Sequence, residues 1–322
     1  MIGVLLVNLG TPEAPDAASV RTYLAEFLSD PRVIEIPQLL WQPILRGIIL
    51  RTRPAKSARA YREVWTDSGS PLLAISLRQA AELRERLGDD IIVGLAFRYG
   101  KRSIRYAISK MVDADVDRIL FAPLYPQYCA ATTASSTDAL FAQLARMRFQ
   151  PAVRTLPPYY DNPLYIGALR TNLERQLNAL DFEPQRLLLS FHGMPERTRE
   201  LGDPYYDHCM ATARLLGEAL GREVDVAFQS RFGRAKWLEP ATDATLAAYP
   251  GNGVERIAIA APGFSADCLE TLEELGIRGR DTFVSAGGTH FARLDCLNDS
   301  PEGMDMIEQL VARELEGWRA AT

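Results

Sequence analysis

The stretch RLLLSFHGMP, residues 186–195, begins as a run of apolar residues and ends in a histidine followed by glycine and proline. An apolar run without alternation is typical of a β-strand that is buried on both faces, as in a parallel sheet. Gly193 and Pro195 predict that this strand ends in a rigid turn. His192, one of only 3 histidines in 322 residues, would therefore lie at the carboxyl end of a buried strand.

Similar apolar runs occur at residues 2–10, 90–100, 118–126, 223–233 and 256–264. Amphipathic helical patterns separate the runs, which is typical of βαβ units. Paired prolines and an Asn-Pro in TLPPYYDNP (155–163) predict a boundary there. We therefore predict an α/β fold of two Rossmann-like, doubly wound domains with parallel sheets, residues 1–155 and 156–322. A last helix, at about 302–320, would close the second domain or pack back on the first.

Composition excludes several classes of function. Apolar residues make up 47% of the chain and charged residues 24%, which is ordinary for a globular protein. The net charge of −5 and the lack of a Lys/Arg block argue against a nucleic-acid partner. The 4 cysteines are far apart, without a C-x-x-C pair, and MIGVLLVNLG shows no signal peptide. We therefore expect a cytoplasmic protein without a disulfide framework.

The most apolar segment, residues 36–54, is interrupted by prolines and arginines and is too short for the ~20 residues of a membrane-spanning helix. It combines Trp41 and several Leu and Ile residues with Arg46, Arg51 and Arg53. Two interpretations stay open. The segment is a core helix with a basic exposed face, or it forms the rim of an apolar cleft or touches a membrane surface.

Unusual polar clusters follow all six predicted strands: NLGTPE, FRYG, YPQYCAATTASS, SFHGMP, QSRFGRAKWLEP and PGFSADCLETLEEL. Ligands of open α/β sheets bind beyond the carboxyl ends of the strands, so we expect the clusters to face one cleft. His192 is the first candidate, since an imidazole can accept a proton near neutral pH or bind a borderline metal.

The stretch DCLETLEEL predicts an α-helix that starts near Ser265. At about 100° per residue, Asp267, Glu270 and Glu274 would share one face of it. A solvated acidic first turn is the alternative explanation, because carboxylates favour helix N-termini. One histidine with a few carboxylates would make an open, weak site for a metal that is passed on, since H-E-x-x-H is absent.

Other chemistries lack their motifs. The chain contains no G-x-G-x-x-G, no G-x-x-x-x-G-K-[ST] and no G-x-S-x-G. NAD binding, P-loop ATP chemistry and a serine nucleophile are therefore disfavoured.

In this order, NLGTPE, SDPRVI, FRYG, SFHGMP and GFSADCLETLEEL resemble ferrochelatases, from residue 4 to about 275. The resemblance implies a lyase that inserts Fe²⁺, its substrate, into protoporphyrin IX to form protohaem with release of two protons. It also implies two Rossmann-like domains around a central porphyrin cleft, a monomer and no prosthetic group. The last cysteine, Cys296, has no partners nearby, so no [2Fe–2S] cluster is expected.

Residue roles carried over by this resemblance centre on His192, which matches the family's active-site histidine, and Glu270, which matches the glutamate facing it. Both are candidates for catalysis and for binding iron, and whether His192 takes pyrrole protons or binds iron stays open. Asp267 and Glu274 would extend an acidic path. The other implied residues are Leu9, Tyr61, Ser70, Arg98, Tyr99 and Trp237, which line the porphyrin, and Arg51 and Arg53 in the lip segment 36–54.

One departure from the family pattern lies beside the site. Many ferrochelatases carry His where this chain has Cys268, so a second imidazole is missing. Three alternatives remain: coproporphyrin III as the substrate, a cobalt chelatase, and a non-catalytic tetrapyrrole carrier.

Overall fold

A computed structural model describes residues 1–231, 233 and 235–319. The chain divides into two compact units. Unit 1 contains residues 1–125, 129–157 and the chain from Met304 onward, and unit 2 contains residues 126–128 and 158–303.

Unit 1 is built on a four-stranded parallel sheet in the order β2-β1-β3-β4. Its strands are β1 (Ile2–Gly10), β2 (Ile91–Tyr99), β3 (Arg118–Pro123) and β4 (Ala152–Thr155). Leu5, Phe121 and Ile108 are fully buried in a core shared by sheet and helices. The apolar runs at β1 and β3 follow from this burial on both faces.

The helices of unit 1 are α1 (Ala17–Phe27), α2 (Gln38–Ile44), α3 (Leu50–Val64), α4 (Pro71–Leu87), α5 (Ile104–Asp113) and α6 (Ser135–Leu144), with π-helical turns at Leu45–Ile49 and Ala130–Ala134. Asp16, Ser70 and Ser103 begin α1, α4 and α5, where each side chain accepts a backbone N–H. These caps satisfy donors that a helix start leaves unpaired.

Unit 2 repeats the arrangement with a parallel sheet in the order β6-β5-β7-β8. Its strands are β5 (Arg186–His192), β6 (Asp225–Gln229), β7 (Arg256–Ala260) and β8 (His290–Arg293). Its helices are α7 (Pro163–Asn178), α8 (Glu196–Glu200), α9 (Tyr205–Leu220), α10 (Thr242–Ala248) and α11 (Arg280–Ser285), with a 3₁₀ turn at Pro250–Asn252 and a π-helix at Glu270–Gly279.

Both sheets share one strand order, so the predicted class of parallel, doubly wound α/β units is confirmed. In each sheet the first strand lies between the second and the third, and the chain changes direction there. Ligands of such sheets bind at this switch point, beyond the carboxyl ends of the strands. In unit 2 the switch point lies between β5, which ends at His192, and β7.

The C-terminal helix α12 (Pro301–Glu314) lies mainly in the part of the chain that belongs to unit 1. Arg86 of α4 forms ion pairs with Asp305 at 2.6 Å and Glu308 at 3.1 Å. The Arg154 guanidinium donates to the carbonyls of Glu314 and Glu316. The helix ends before the predicted residue 320, which itself lies outside the described residues.

Segment 36–54 is helical from Gln38 onward, although Pro43 and Pro54 lie inside helices. The exposed fractions of Leu39, Leu40 and Ile48 are 91%, 65% and 59%. Trp41, Leu45 and Leu50 of the same segment are buried, so it packs one face against the core and leaves other apolar side chains exposed. In the part of the chain that the structure describes, no helix is both long and apolar enough to cross a bilayer.

Candidate active site

His192 is the last residue of β5 and is half-buried. Its Nδ1 lies 2.8 Å from the carbonyl oxygen of Gly193. A carbonyl can only accept, so this hydrogen bond requires the hydrogen on Nδ1. In the neutral ring, Nε2 then carries the lone pair and can accept a proton or bind a metal ion.

Gly193 lets two chain segments approach closely after the histidine. Its N–H donates to the Gln229 carbonyl at 2.7 Å. A Cβ at residue 193 would lie 2.5 Å from the same carbonyl oxygen, closer than atoms can pack. The glycine that follows His192 is therefore required by the approach of β6.

Residues Glu270–Gly279 form a π-helix, and this corrects the expectation of an α-helix that begins near Ser265. Ser265 is no cap, and its carbonyl accepts from the Asn298 N–H instead. A π-helix closes its hydrogen bonds from i to i+5, so its turns contain more residues than those of an α-helix. Glu270 and Glu274, four residues apart, are therefore about one turn apart on the same side.

Asp267 differs from the two glutamates because it is 3% exposed and fully hydrogen-bonded. Its carboxylate accepts from the Thr271 hydroxyl at 2.7 Å and the Asn298 amide at 2.7 Å. The Arg293 guanidinium lies 3.0 Å away and balances its charge. These contacts anchor the loop that precedes the π-helix.

Glu274 is held by Ser230, the residue after β6, and by a longer ion pair with Arg278. Its carboxylate accepts from the Ser230 N–H at 2.8 Å and from the Ser230 hydroxyl at 2.5 Å. It lines a cavity of about 290 Å³, together with Arg231, Asp243 and Arg278. Glu274 therefore lies between Glu270, at the start of the π-helix, and this cavity, which is large enough to hold water.

Cys268, where many ferrochelatases have histidine, is a buried thiol. Burial raises its pKa well above the ordinary value, and the negative charge of Glu270 raises the pKa further. The thiol is therefore protonated at neutral pH and can act as a hydrogen-bond donor to Glu270. It cannot serve as a proton acceptor in that range.

The other two histidines lie elsewhere in unit 2. The ring of His208 stacks on Tyr160 at 3.6 Å, and its Nδ1 accepts the Tyr128 N–H at 3.1 Å. His290 is exposed and packs against Phe182. Among the described residues, no three or more His, Cys, Asp or Glu side chains are grouped as a metal site would require.

The other predicted site residues differ in exposure. Ser70 caps α4, accepting from the Leu73 N–H at 3.2 Å, and Tyr61 packs edge-on against Trp65. Leu9 is partly buried near the carboxyl end of β1. In unit 2, Trp237 pairs with Pro195 in the turn after His192. Arg51 is exposed on α3, and Arg53 is half-buried there.

Arg98 and Tyr99 converge on Asp30, a residue that sequence reasoning missed. The Asp30 carboxylate accepts from Arg98 at 2.5 Å, the Tyr99 hydroxyl at 2.8 Å and the Ser135 hydroxyl at 2.6 Å. Burial raises the pKa of Asp30, but hydrogen bonds from Ser135, the Arg32 backbone and Tyr99 and the charge of Arg98 outweigh it, so the pKa is lowered. Asp30 lies in the motif SDPRVI and Ser135 in the polar cluster that contains TTASS. Their place in these stretches could have indicated that both residues belong to the site.

Asp30→Asn is expected to lower the free energy of unfolding by about 3 kcal/mol at pH 7, because it leaves Arg98 without its charge partner. Since the folded pKa is lowered, the carboxylate stabilises the fold above its ordinary pKa and loses this effect as pH falls through the folded pKa. The difference from wild type should therefore shrink below about pH 4. Urea titrations at several pH values measure it.

Asp138→Asn is the matched control for Asp30→Asn, because Asp138 forms an exposed ion pair with Arg32. We expect this control to lose less than about 0.5 kcal/mol. Equal losses for the two variants at pH 7 would contradict the importance of the buried network.

Comparisons with known proteins agree with these features. The sequence profile of the ferrochelatase family matches residues 1–315. The chain is 52% identical to the ferrochelatase of Rhizobium meliloti over 324 residues, covering 98% of this chain and 96% of that protein. It is 51% identical to Ferrochelatase 2 of Shewanella oneidensis over 316 residues, covering 96% of each.

Solved structures share the fold. The sirohydrochlorin chelatase SirB from Bacillus subtilis subspecies spizizenii, in complex with cobalt, has a TM-score of 0.59 to this chain. The match covers 99% of this chain and 97% of SirB at 11% identity, which supports the fold alone. The match to the family profile and the identity to its members extend over nearly the whole sequence. The chain therefore belongs to the ferrochelatase family of lyases, which insert ferrous iron into porphyrin in haem biosynthesis.

Proposed function

We propose that the porphyrin substrate is protoporphyrin IX and that His192 and Glu270 carry the chemistry of iron insertion. The observation that carries the proposal is the hydrogen bond from His192 Nδ1 to the Gly193 carbonyl, which leaves Nε2 as a free base at the switch point of the unit 2 sheet. Glu270 begins the π-helix that follows β7 on the other side of this switch point.

The reaction needs a base because two pyrrole N–H protons leave as Fe²⁺ enters. His192 Nε2 accepts a proton, and a positioned base of this kind contributes about 10²–10⁴-fold to the rate. Glu270 supplies a carboxylate that stabilises the positive charge of the incoming iron and accepts a proton. The alternative role uses the same Nε2 lone pair: as an iron ligand, the imidazole nitrogen forms with the carboxylate oxygen a loose N/O pair, from which iron passes on to the four porphyrin nitrogens.

Protons then leave along the π-helix. Glu270 and Glu274 lie on the same side of this helix, and Glu274 borders the cavity of about 290 Å³. Asp267 contributes at the start of the path by anchoring the loop through Arg293. The acidic path therefore consists of the half-buried Glu270 and Glu274, and the buried Asp267 holds the loop before them in place.

The predicted porphyrin-lining residues divide by burial. Leu9 and Trp237 are partly exposed and would pack against the macrocycle. Ser70 and Tyr99 are 1% and 0% exposed, so they would shape the pocket from behind. Tyr61, which is 8% exposed, and Arg98, which pairs with Asp30, stay predicted residues of the porphyrin pocket. Arg51 and Arg53 stay predicted partners of the propionates.

Turnover with both porphyrins tests the proposal. Purified protein, under anaerobic conditions with Fe²⁺, is offered protoporphyrin IX or coproporphyrin III, and haem formation is followed by absorbance. Repeated turnover with a higher kcat/KM for protoporphyrin IX supports the proposal. Preference for coproporphyrin III, preference for Co²⁺ over Fe²⁺, or stoichiometric binding without metallation each points to one of the alternatives.

We further propose that the lip segment 36–54 touches a membrane surface that contains anionic lipids. Leu39, Leu40 and Ile48 expose apolar surface, and Arg46 and Arg51 lie exposed on the same run of helix. Apolar side chains enter the acyl boundary while cations pair with anionic head groups.

The double variant Leu39→Asp/Leu40→Asp should weaken binding to vesicles that contain phosphatidylglycerol by at least about tenfold, because two exposed leucines no longer insert. Co-sedimentation with vesicles measures it. Phe149→Asp is the matched control, since Phe149 is also an exposed apolar residue of unit 1. Unchanged binding of the double variant would overturn the membrane contact.

The proposal includes a cytoplasmic monomer without a prosthetic group. The four cysteines, which all lie among the described residues, are buried and form no disulfide. The expectation of no [2Fe–2S] cluster is supported by the sequence, in which the four cysteines are far apart and no C-x-x-C pair occurs. Light scattering measures the oligomeric state, and iron and acid-labile sulfide analysis measures the cluster content.

A further inference from the structure

Gln229, the last residue of β6, contacts both elements that carry the proposed catalytic residues. It is 3% exposed and lies opposite His192 in the parallel pairing of β5 with β6. Its backbone carbonyl accepts the Gly193 N–H at 2.7 Å. The backbone that follows His192 is therefore fixed against Gln229.

The side-chain amide of Gln229 joins strand β5 to the π-helix. Its Oε1 accepts from the Ser190 hydroxyl at 2.8 Å, and its Nε2 donates to the backbone carbonyl of Glu270 at 3.3 Å. The Ser190 hydroxyl is also 2.8 Å from the Thr242 hydroxyl. Because Ser190 gives its only hydrogen to Gln229, Thr242 must donate to Ser190.

The two orientations of the Gln229 side-chain amide are not equivalent. A flipped amide would place Oε1 against the Glu270 carbonyl, and two acceptors would then face each other in a buried site. The order from Thr242 through Ser190 and Gln229 to Glu270 is therefore a directed chain of hydrogen bonds. Ser230, the next residue, adds the two bonds to the Glu274 carboxylate.

We propose that Gln229 is a positioning residue that sets the distance between the His192 imidazole and the Glu270 carboxylate. This inference rests on the proposed roles of those two residues. A base and a carboxylate that serve one reaction must be held in register, and misplacement by about 1 Å can cost about 10²-fold in rate. Gln229 does this through the Glu270 backbone, so it needs no contact with porphyrin or iron.

Gln229→Met tests the inference, since methionine has a similar shape but can make neither hydrogen bond. We expect kcat to fall by at least about tenfold while the dissociation constant for porphyrin, measured by fluorescence, stays within about twofold. Gln185→Met is the matched control. The Gln185 side chain also uses both ends of its amide in backbone hydrogen bonds, to Gly253, Glu255 and Arg256 at the amino end of β7, and its loss should leave kcat unchanged.

A double variant separates positioning from a general structural effect. In a Glu270→Gln background, Gln229→Met should lower kcat by less than about twofold. Residue 270 then has no carboxylate, so its distance from His192 no longer affects the rate. An equal loss in both backgrounds, or no loss in the wild-type background, would overturn the inference. Ser190→Ala provides a second route if Gln229→Met does not fold, with the same expected loss and the same dependence on Glu270.

Failure of this inference is distinguishable from failure of the proposed function. If Glu270→Gln or His192→Ala alone leaves turnover normal, the proposed roles are wrong. If those variants are inactive and Gln229→Met is fully active, the roles stand and only the positioning by Gln229 is wrong.

Discussion

His192→Ala is expected to lower kcat for iron insertion by about 10³-fold while porphyrin still binds. The variant removes the Nε2 lone pair that the hydrogen bond to the Gly193 carbonyl leaves free. Porphyrin binding depends on a large apolar surface and should change little. Anaerobic stopped-flow absorbance measures the rate, and porphyrin fluorescence measures binding.

The kinetic constants of His192→Ala also separate the two possible roles of the imidazole. Loss of a base lowers kcat even at saturating iron, whereas loss of an iron ligand raises the KM for Fe²⁺. His290→Ala is the matched control, since His290 is an exposed histidine of the same unit. Near-normal turnover of His192→Ala would exclude both roles.

Glu270→Gln is expected to lower kcat by about 10²-fold, because it replaces a carboxylate with a neutral amide of the same shape. The free energy of unfolding should change by less than about 1 kcal/mol, since Glu270 is only half-buried and the Cys268 thiol can donate to the amide oxygen as well. Haem formation and urea titration measure the two quantities.

Glu273→Gln is the matched control on the same π-helix. Glu273 is buried and pairs with Arg278 at 2.9 Å, so its replacement should lower stability and leave the rate nearly unchanged. If Glu270→Gln unfolds the protein while Glu273→Gln does not, Glu270 has a structural role at the helix start and the catalytic assignment is wrong.

Much of the fold could be predicted from local sequence patterns. The apolar runs at β1, β3, β5 and β7 predict strands that are buried on both faces, because such strands tolerate few polar residues. Strands β4 and β8 were missed. They are short edge strands whose residues are mostly half-buried or exposed, so they show no apolar run.

The candidate site was predictable in position but not in geometry. His192 ends β5 and Glu270 follows β7, and parallel strands bring their carboxyl ends to one edge of the sheet. The π-helix at Glu270–Gly279 was not predictable, since α- and π-helices have similar residue preferences and differ in hydrogen bonding. Asp267 is buried because it pairs with Arg293 and Asn298. Both partners lie much later in the chain, so the stretch around Asp267 does not indicate them.

Sequence patterns alone specify the parallel α/β class, the location of His192 at a strand end, the family and the acidic residues after β7. These are local patterns, and each is set by residues that are close in the chain. The folded chain is needed to specify which nitrogen of His192 is free, which carboxylates are neutralised and how Gln229 joins β5 to the π-helix. The Nδ1 hydrogen bond of His192 joins adjacent residues, but the Gly193 backbone is itself held by the distant Gln229 carbonyl. The other two properties arise from hydrogen bonds between residues 26 to 44 positions apart, and no short stretch of sequence records which donor will meet which acceptor.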